Sequence, residues 1–356
     1  MIGKRYIQFL SFTITTWLVF FVSFQVTLSL ILQDFDNLSD ALLFLLIVSF
    51  PSAFLSGFLI ETLDYIILDY KLFRNAYFTK IFIKSILHVS IFLFIVYKVA
   101  YFFVDIALYY GIKPINAFTY VFTTNSGLIL LIVYSYLISF LINFLRQINE
   151  QLGHKTLLFF LIGKYRKPVE DNRIFLFLDL NDSTTLAEEM GHYQYSSLIQ
   201  DCFKDLTTLI ISHKAEVYQY VGDQVVLHWK NTPENKSHMI ALFFDFEDEL
   251  KKRKMYYMSK YNIQPSFKAG ADIGLVMISE VGEIKKMIAY HGDVLNVAAR
   301  IEGLCNKMKK SFLVSEHLFD SGFTTSVDIN ITYIAQKLLK GKREKLNVYS
   351  IERFLH

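Results

Sequence analysis

Apolar residues are not spread evenly along this chain. Phe, Leu, Ile and Tyr crowd the first 146 residues, and Lys, Arg, Asp and Glu crowd the rest. Four apolar stretches, at about 6–32, 41–68, 77–104 and 117–145, reach the roughly 20 residues a helix needs to cross a hydrocarbon core. Beyond them the pattern changes. Residues 173–179 read as a buried strand that ends on Asp179, and 181–184 read as a turn in which Ser183 or Thr184 can cap the following helix. A helix begins at 186–190 and a second occupies 193–212. Residues 216–221 and 224–229 read as two strands around the turn pair Gly222 and Asp223. A charged helix at 234–261, strands at 267–278 and 286–290, an amphipathic helix at 293–306 and strands at 329–334 and 346–351 complete the chain. This alternation, with hairpins in it, predicts an α+β domain on one mainly antiparallel sheet.

Composition agrees with a membrane part joined to a soluble part. The 356 residues allow two domains, and 53% of them are hydrophobic, with a mean hydropathy of +0.34. A net charge of +3 is too small to argue for nucleic-acid binding, and no nucleic-acid partner is expected. Cys202 and Cys305 have neither zinc-site nor disulfide-framework spacing. The run at 6–32 is longer than a signal-peptide core and reads as a retained helix.

Loop charges orient the spans. Lys4 and Arg5, then Lys71, Arg74 and Lys80, then Arg146, Lys155, Lys164, Arg166 and Lys167 fall on one side. Asp34, Asp36 and Asp40 fall on the other. By the positive-inside rule both ends of the membrane part, and everything after it, are cytoplasmic at the inner (plasma) membrane, with the lipid bilayer as a partner. Three polar side chains interrupt the third span. Lys84 and Lys98 can snorkel, whereas the deeper His88 is either a sensor group or a helix-packing hydrogen bond. Phe144, Leu145, Ile148 and Leu152 carry the helical period past the fourth span. The linker they begin either pairs across a dimer or packs on the soluble domain. The expected domains are 1–146 in the membrane, 147–170 as linker and 171–356 as the soluble domain.

Asp179 ends a strand and Asp223 sits in a hairpin turn. On neighbouring strands their carboxylates would repel unless a Mg²⁺ or Mn²⁺ lay between them. Read alone, the pair is equally a strand-end cap and an ordinary turn.

Taken in order, the segments 177–184 (FLDLNDST), 220–223 (YVGD), 292–300 (GDVLNVAAR) and 339–342 (LKGK) resemble the class III adenylyl/guanylyl cyclase catalytic domain. The resemblance covers about 172–352 and implies a ferredoxin-like α+β fold and a homodimer with active sites at the subunit interface. It further implies that Asp179 and Asp223, with the carbonyl of Leu180, hold two divalent ions. Backbone N–H groups from Asn181, Asp182, Ser183 and Thr184 would cradle phosphates. Asn296 and Arg300 would come from the second subunit to orient the ribose and neutralise the reacting phosphate, and Lys340 would grip the terminal phosphates.

Two positions depart from the family pattern of ATP-selective members. Gln219 stands where they usually carry Lys, and Ala289 where they carry Asp or Thr. A glutamine amide can face adenine or flip to face guanine. The resemblance therefore implies ATP as substrate, with cyclic AMP and pyrophosphate as products. GTP, relaxed or pyrimidine use is the alternative, as is a catalytically silent receptor module. A diguanylate cyclase would need a glycine pair where Val221 precedes Gly222, and a channel or transporter would need charged stripes or broken repeats in the spans.

Overall fold

The computed structural model of the chain describes residues 14–19, 50–63, 77–109, 125–152, 156–319, 323, 328–338 and 345–354. Two compact units divide the chain, Met1–Leu152 and Gly153–His356.

In the first unit α1 spans Phe50–Leu63, α2 Tyr77–Tyr109 and α3 Asn125–Leu152. Within α2 and α3, Ile81–Val99 and Leu128–Ile148 are long and apolar enough to cross a membrane. α1 covers part of the second expected span. The first expected span lies outside the described residues except for a helical turn at 14–19. Large apolar side chains such as Phe94, Tyr101, Ile129 and Leu137 face outward, whereas Ser85, His88, Ser139 and Asn143 are buried. Polar groups buried between helices bind one another. Asn143 Nδ2 donates to Ser85 Oγ at 3.2 Å and to the Ser139 carbonyl at 3.0 Å, and lies 3.3 Å from His88 Nδ1. His88 thus takes part in a packing seam between α2 and α3. Arg146 of α3 pairs with Glu61 of α1 at 3.2 Å.

The second unit opens with a short helix, α4 (Thr156–Leu161), and continues β1 (Val169–Leu180), α5 (Ser183–Ser212), β2 (Glu216–Val221) and β3 (Gln224–Lys230). Next come α6 (Pro233–Lys252), α7 (Lys254–Tyr261), β4 (Phe267–Val281), β5 (Met287–His291), α8 (Asp293–Glu302) and α9 (Cys305–Met308). β6 (Phe312–Ser315), β7 (Ile329–Leu338) and β8 (Lys345–Arg353) end it. The sheet order is β2-β3-β1-β4-β6-β8-β7, and β5 pairs with the far end of β4. Every pairing among the described strands is antiparallel except β4 with β6.

Period-two alternation along β1 serves two cores at once. Ile174, Leu176, Leu178 and Leu180 pack with Leu198, Leu206, Phe243 and Phe246 of α5 and α6. Phe175 and Phe177 face the other way, onto Val294 and Ala298 of α8. α8 can lie flat on β4 because Gly270 has no Cβ: one built there would fall 2.2 Å from the Glu302 nitrogen. The linker joins this second core. Tyr165 is buried in it, stacks edge-on against Phe159 of α4, and its carbonyl accepts from the Glu280 N–H at 2.8 Å. Phe159 and Tyr165 of the expected linker thus pack on the domain.

Three expectations need correction. The expected helix at 234–261 is broken at Arg253, which caps α6 and starts α7. The helix at 293–306 ends at Glu302, with a separate turn of helix after Gly303. β6, four buried residues, is an additional strand that local pattern does not reveal.

Candidate active site

β1 delivers Asp179 to the α8 face of the sheet, two residues beyond Phe177, and β4 sets Lys268 directly opposite it. Lys268 Nζ lies 2.8 Å from Asp179 Oδ2 and 3.2 Å from Glu302 Oε1, so one ammonium bridges a strand carboxylate and a helix carboxylate. All three side chains are at least four-fifths buried. Burial alone would push Lys268 down, but Asp179 and Glu302 outweigh it and hold the ammonium above its ordinary range. Glu302 moves up, first through burial and then through the charge of Asp179. Its Oε1 forms the ion pair without hydrogen-bond alignment.

Asp223 follows Gly222, whose positive φ of 62° closes the β2–β3 turn. One oxygen of Asp223, Oδ2, is enclosed and meets no hydrogen-bond donor. Such an atom is costly unless something positive approaches it. Beside it Asp182 adopts the left-handed conformation with φ 54° and starts α5. This corrects the expected cap: Asp182, not Ser183 or Thr184, is the residue before the helix, and its side chain makes no capping bond. The first N–H groups of α5 therefore remain open to an acceptor. Asn181 anchors the turn, its N–H donating to the Ser266 carbonyl at 2.9 Å and its Nδ2 to Ser266 Oγ at 3.0 Å.

A cleft of about 530 Å³ lies over this turn, lined by Ser183, Thr184, Glu188, His192, Tyr195 and Asp223 among others. Tyr195 turns its hydroxyl towards Ser183 and Asp223. Burial and then the Asp223 charge push it above its ordinary range, and Asp179 adds to the effect. The structure thus gathers Asp179, Leu180, Asn181, Asp182, Ser183, Thr184 and Asp223 at one end of the sheet.

It does not bring the remaining expected residues there. Asn296 and Arg300 stand four apart on α8, Asn296 exposed and Arg300 partly so, and share one helix face. Among the described residues neither forms a hydrogen bond or ion pair with Asp179 or Asp223. Gln219 pairs with Val226 beside a bulge at Tyr218, and Ala289, buried, pairs with Ser279. The rings of Tyr218 and Tyr290, next to Gln219 and Ala289, meet at 5.2 Å, which draws β2 and β5 together over Phe175 and His228. Lys340 lies outside the described residues.

Residues 166–353 match the family described as the adenylate and guanylate cyclase catalytic domain, which is more than half of the chain. The chain belongs to this family. It is 30% identical over 221 residues to adenylate cyclase 2 of Rhizobium meliloti (strain 1021), an alignment covering 62% of this chain and 61% of that protein. Adenylate cyclase 1 of the same organism is 25% identical over 148 residues, 39% of this chain and 22% of that one. The chain thus spans less than two thirds of the length of either relative. A bacterial light-regulated adenylyl cyclase structure superposes with a TM-score of 0.54 at 20% identity, covering 64% of this chain and 66% of that one. At that identity the likeness establishes the fold: a cyclase-like α+β domain with a mostly antiparallel sheet.

Within this cyclase domain, reading the sequence missed Lys268, Glu302 and Tyr195. Lys268 carries a signal in retrospect, as a cation interrupting the apolar strand at 267–278. Glu302 and Tyr195 look like ordinary polar helix positions until the register of β1 on β4 and the seating of α8 and α5 are known.

Proposed function

We propose that the protein is a membrane-anchored adenylate cyclase that converts ATP to 3′,5′-cyclic AMP and pyrophosphate at sites shared by two copies of the chain. What supports this reading most is a division of the site. The carboxylates Asp179 and Asp223 lie by the N-terminus of α5, while Asn296 and Arg300 share another helix, α8, and among the described residues form no hydrogen bond or ion pair with either carboxylate. On this reading one chain carries two half-sites that a second copy complements, and a symmetric pair would contain two equivalent sites.

The donor set suits divalent ions. Among the described residues no three His, Cys, Asp or Glu side chains cluster, so a site here would take two carboxylates, the Leu180 carbonyl and phosphate oxygens. The enclosed, unpartnered Asp223 Oδ2 and the cation already resting on Asp179 fit that role. Mg²⁺ or Mn²⁺ held there would activate the ribose 3′-hydroxyl and grip the triphosphate. The N–H groups of Asp182, Ser183 and Thr184 donate to phosphate oxygens at the start of α5, whereas the Asn181 N–H is committed to the Ser266 carbonyl and Asn181 only anchors the turn. From the second copy, Asn296 orients the ribose and Arg300 meets the charge that builds on the α-phosphate as the 3′-oxygen bonds to it and pyrophosphate leaves. Lys340 holds the terminal phosphates, and Gln219 and Ala289 border the base. The two apolar helices, with the remaining expected spans, anchor the enzyme in the inner membrane with the catalytic unit in the cytoplasm.

The test is product formation by purified full-length protein with Mn²⁺ and each of ATP, GTP, CTP and UTP. Cyclic AMP should be the main product, and Asp223→Ala should lower its formation by about a thousand-fold or more while the protein stays folded. Turnover of only GTP or only a pyrimidine nucleotide would overturn the substrate. Full activity in Asp223→Ala would overturn the site.

A further inference from the structure

Asp179 already has a cation. Lys268 faces it across the β1–β4 pair with Nζ 2.8 Å from Oδ2, and the contact is largely screened from solvent, with the two side chains 12% and 19% exposed. A divalent ion bound to the same carboxylate would sit about 2.0–2.6 Å from its oxygen. On Oδ2 the ion and the ammonium compete for one oxygen, and two positive charges sharing one carboxylate repel strongly away from bulk water. The lysine has to give way, and the structure provides one acceptor for it. Glu302 Oε1 is 3.2 Å from the same Nζ, its side chain only 9% exposed, and it spends no hydrogen bond elsewhere. Its position is dictated from below by Gly270, two residues beyond Lys268 on the same face of β4, where nothing larger than hydrogen leaves space for the Glu302 backbone. Among the described residues Asp223 forms no ion pair, and its enclosed Oδ2 meets no hydrogen-bond donor.

We propose that Lys268 and Glu302 form a counter-ion exchange at Asp179. Lys268 neutralises the carboxylate while no metal is present, and Glu302 takes over the ammonium when a divalent cation binds. This rests on reading Asp179 as a metal ligand. Lys268 is then a built-in competitor of the metal, and Glu302 a positioning residue that lowers the cost of displacing it. The exchange moves no proton and makes no covalent bond. It offsets the charge of Asp179 between turnovers and makes metal entry depend on one lysine swing of a few ångströms.

The experiment is Mn²⁺ binding to purified full-length protein in detergent without nucleotide, read from the electron paramagnetic resonance signal of free Mn²⁺. Lys268→Met should tighten binding by about ten-fold, because the competing charge is gone. Glu302→Gln should weaken it by about five-fold, because the displaced ammonium has no acceptor. The decisive quantity is the coupling. Glu302→Gln should cost more when Lys268 is present than in the Lys268→Met background, whereas Glu302 acting only through its field would matter more once the lysine no longer offsets it. Unchanged or weaker binding in Lys268→Met, or a Glu302→Gln effect that grows in that background, overturns the exchange. Asp179→Asn separates the two claims. If it leaves Mn²⁺ binding intact, the metal reading of Asp179 falls. If it weakens binding while Lys268→Met does not tighten it, the metal reading stands and the exchange falls.

Discussion

Replacing Gly270 with alanine tests whether close seating on β4 positions α8, the helix that carries Asn296 and Arg300. A Cβ at Gly270 would lie 2.2 Å from the Glu302 nitrogen, 2.5 Å from the Ala298 carbonyl oxygen and 2.6 Å from the Glu302 Cα. All three are backbone atoms, so no side-chain rotation relieves the overlap. Restoring an ordinary contact of about 3.5 Å requires the helix to retreat by about 1 Å. Overpacking of this kind costs about 1–3 kcal/mol, or about 3–9 °C in melting temperature for a domain of this size. If the proposed shared site holds, the same displacement carries Asn296 and Arg300 away from the second copy, and a misplacement of about 1 Å at a reacting centre costs about 100-fold in rate. Gly274→Ala is the control, because its new Cβ would meet the Val294 side chain at 3.4 Å, a contact that small adjustments absorb. Melting curves and cyclic nucleotide formation, measured on both variants, decide the matter. If Gly270→Ala matches Gly274→Ala in both, α8 is not held as argued.

Two further outcomes follow from the second core and the base-side strands. His228 is 2% exposed, and burial together with Arg173 pushes it down to about 3, against 6.5 in an open chain. The unfolded chain therefore takes up the extra proton, and stability is lost as pH falls from about 6.5 towards 3, with about 2 kcal/mol gone at pH 5. Melting temperature should drop less steeply between pH 7.5 and 5 in His228→Gln than in the wild type, and equal slopes would exclude His228 as the source. For base choice, wild-type discrimination of ATP over GTP should be modest, because Gln219 and Ala289 offer few directed contacts. Gln219→Lys with Ala289→Asp should raise the ATP to GTP ratio of kcat/KM by about ten-fold. An active double variant with an unchanged ratio would show that these positions do not face the base.

Local pattern carried much of this architecture. The apolar run into Asp179, the Gly222 turn and the amphipathic repeat of α8 each declare themselves within a dozen residues, because burial on one face imposes its period on the sequence. The boundaries that failed are those decided by distant partners. Arg253 breaks the expected helix at 234–261 where its guanidinium reaches Asp205 of α5 and lies over the Tyr256 and Tyr257 rings. β6 is too short to show a period and exists because β4 and β8 pair on either side of it. The site divides the same way. Asp179 ends a legible strand and Asp223 stands in a legible turn, whereas Lys268 and Glu302 come together at Asp179 only through sheet register and a glycine-permitted helix contact. The first unit is legible in its hydropathy but not in its seam: that Asn143, Ser85 and His88 meet depends on how α2 and α3 are rotated against each other.

The central claim, a site completed by two copies of the chain, is tested most directly by mixing two inactive variants. Asp179→Ala removes one half-site and Arg300→Ala the other, and each alone should show little cyclic AMP formation from ATP. In a mixed dimer one interface receives both defects and the other receives none. Co-expressed and purified through two different tags, the heterodimer should regain about half of the wild-type activity per dimer. A verified heterodimer as inactive as either parent, or an Arg300→Ala homodimer that is fully active, would contradict the account.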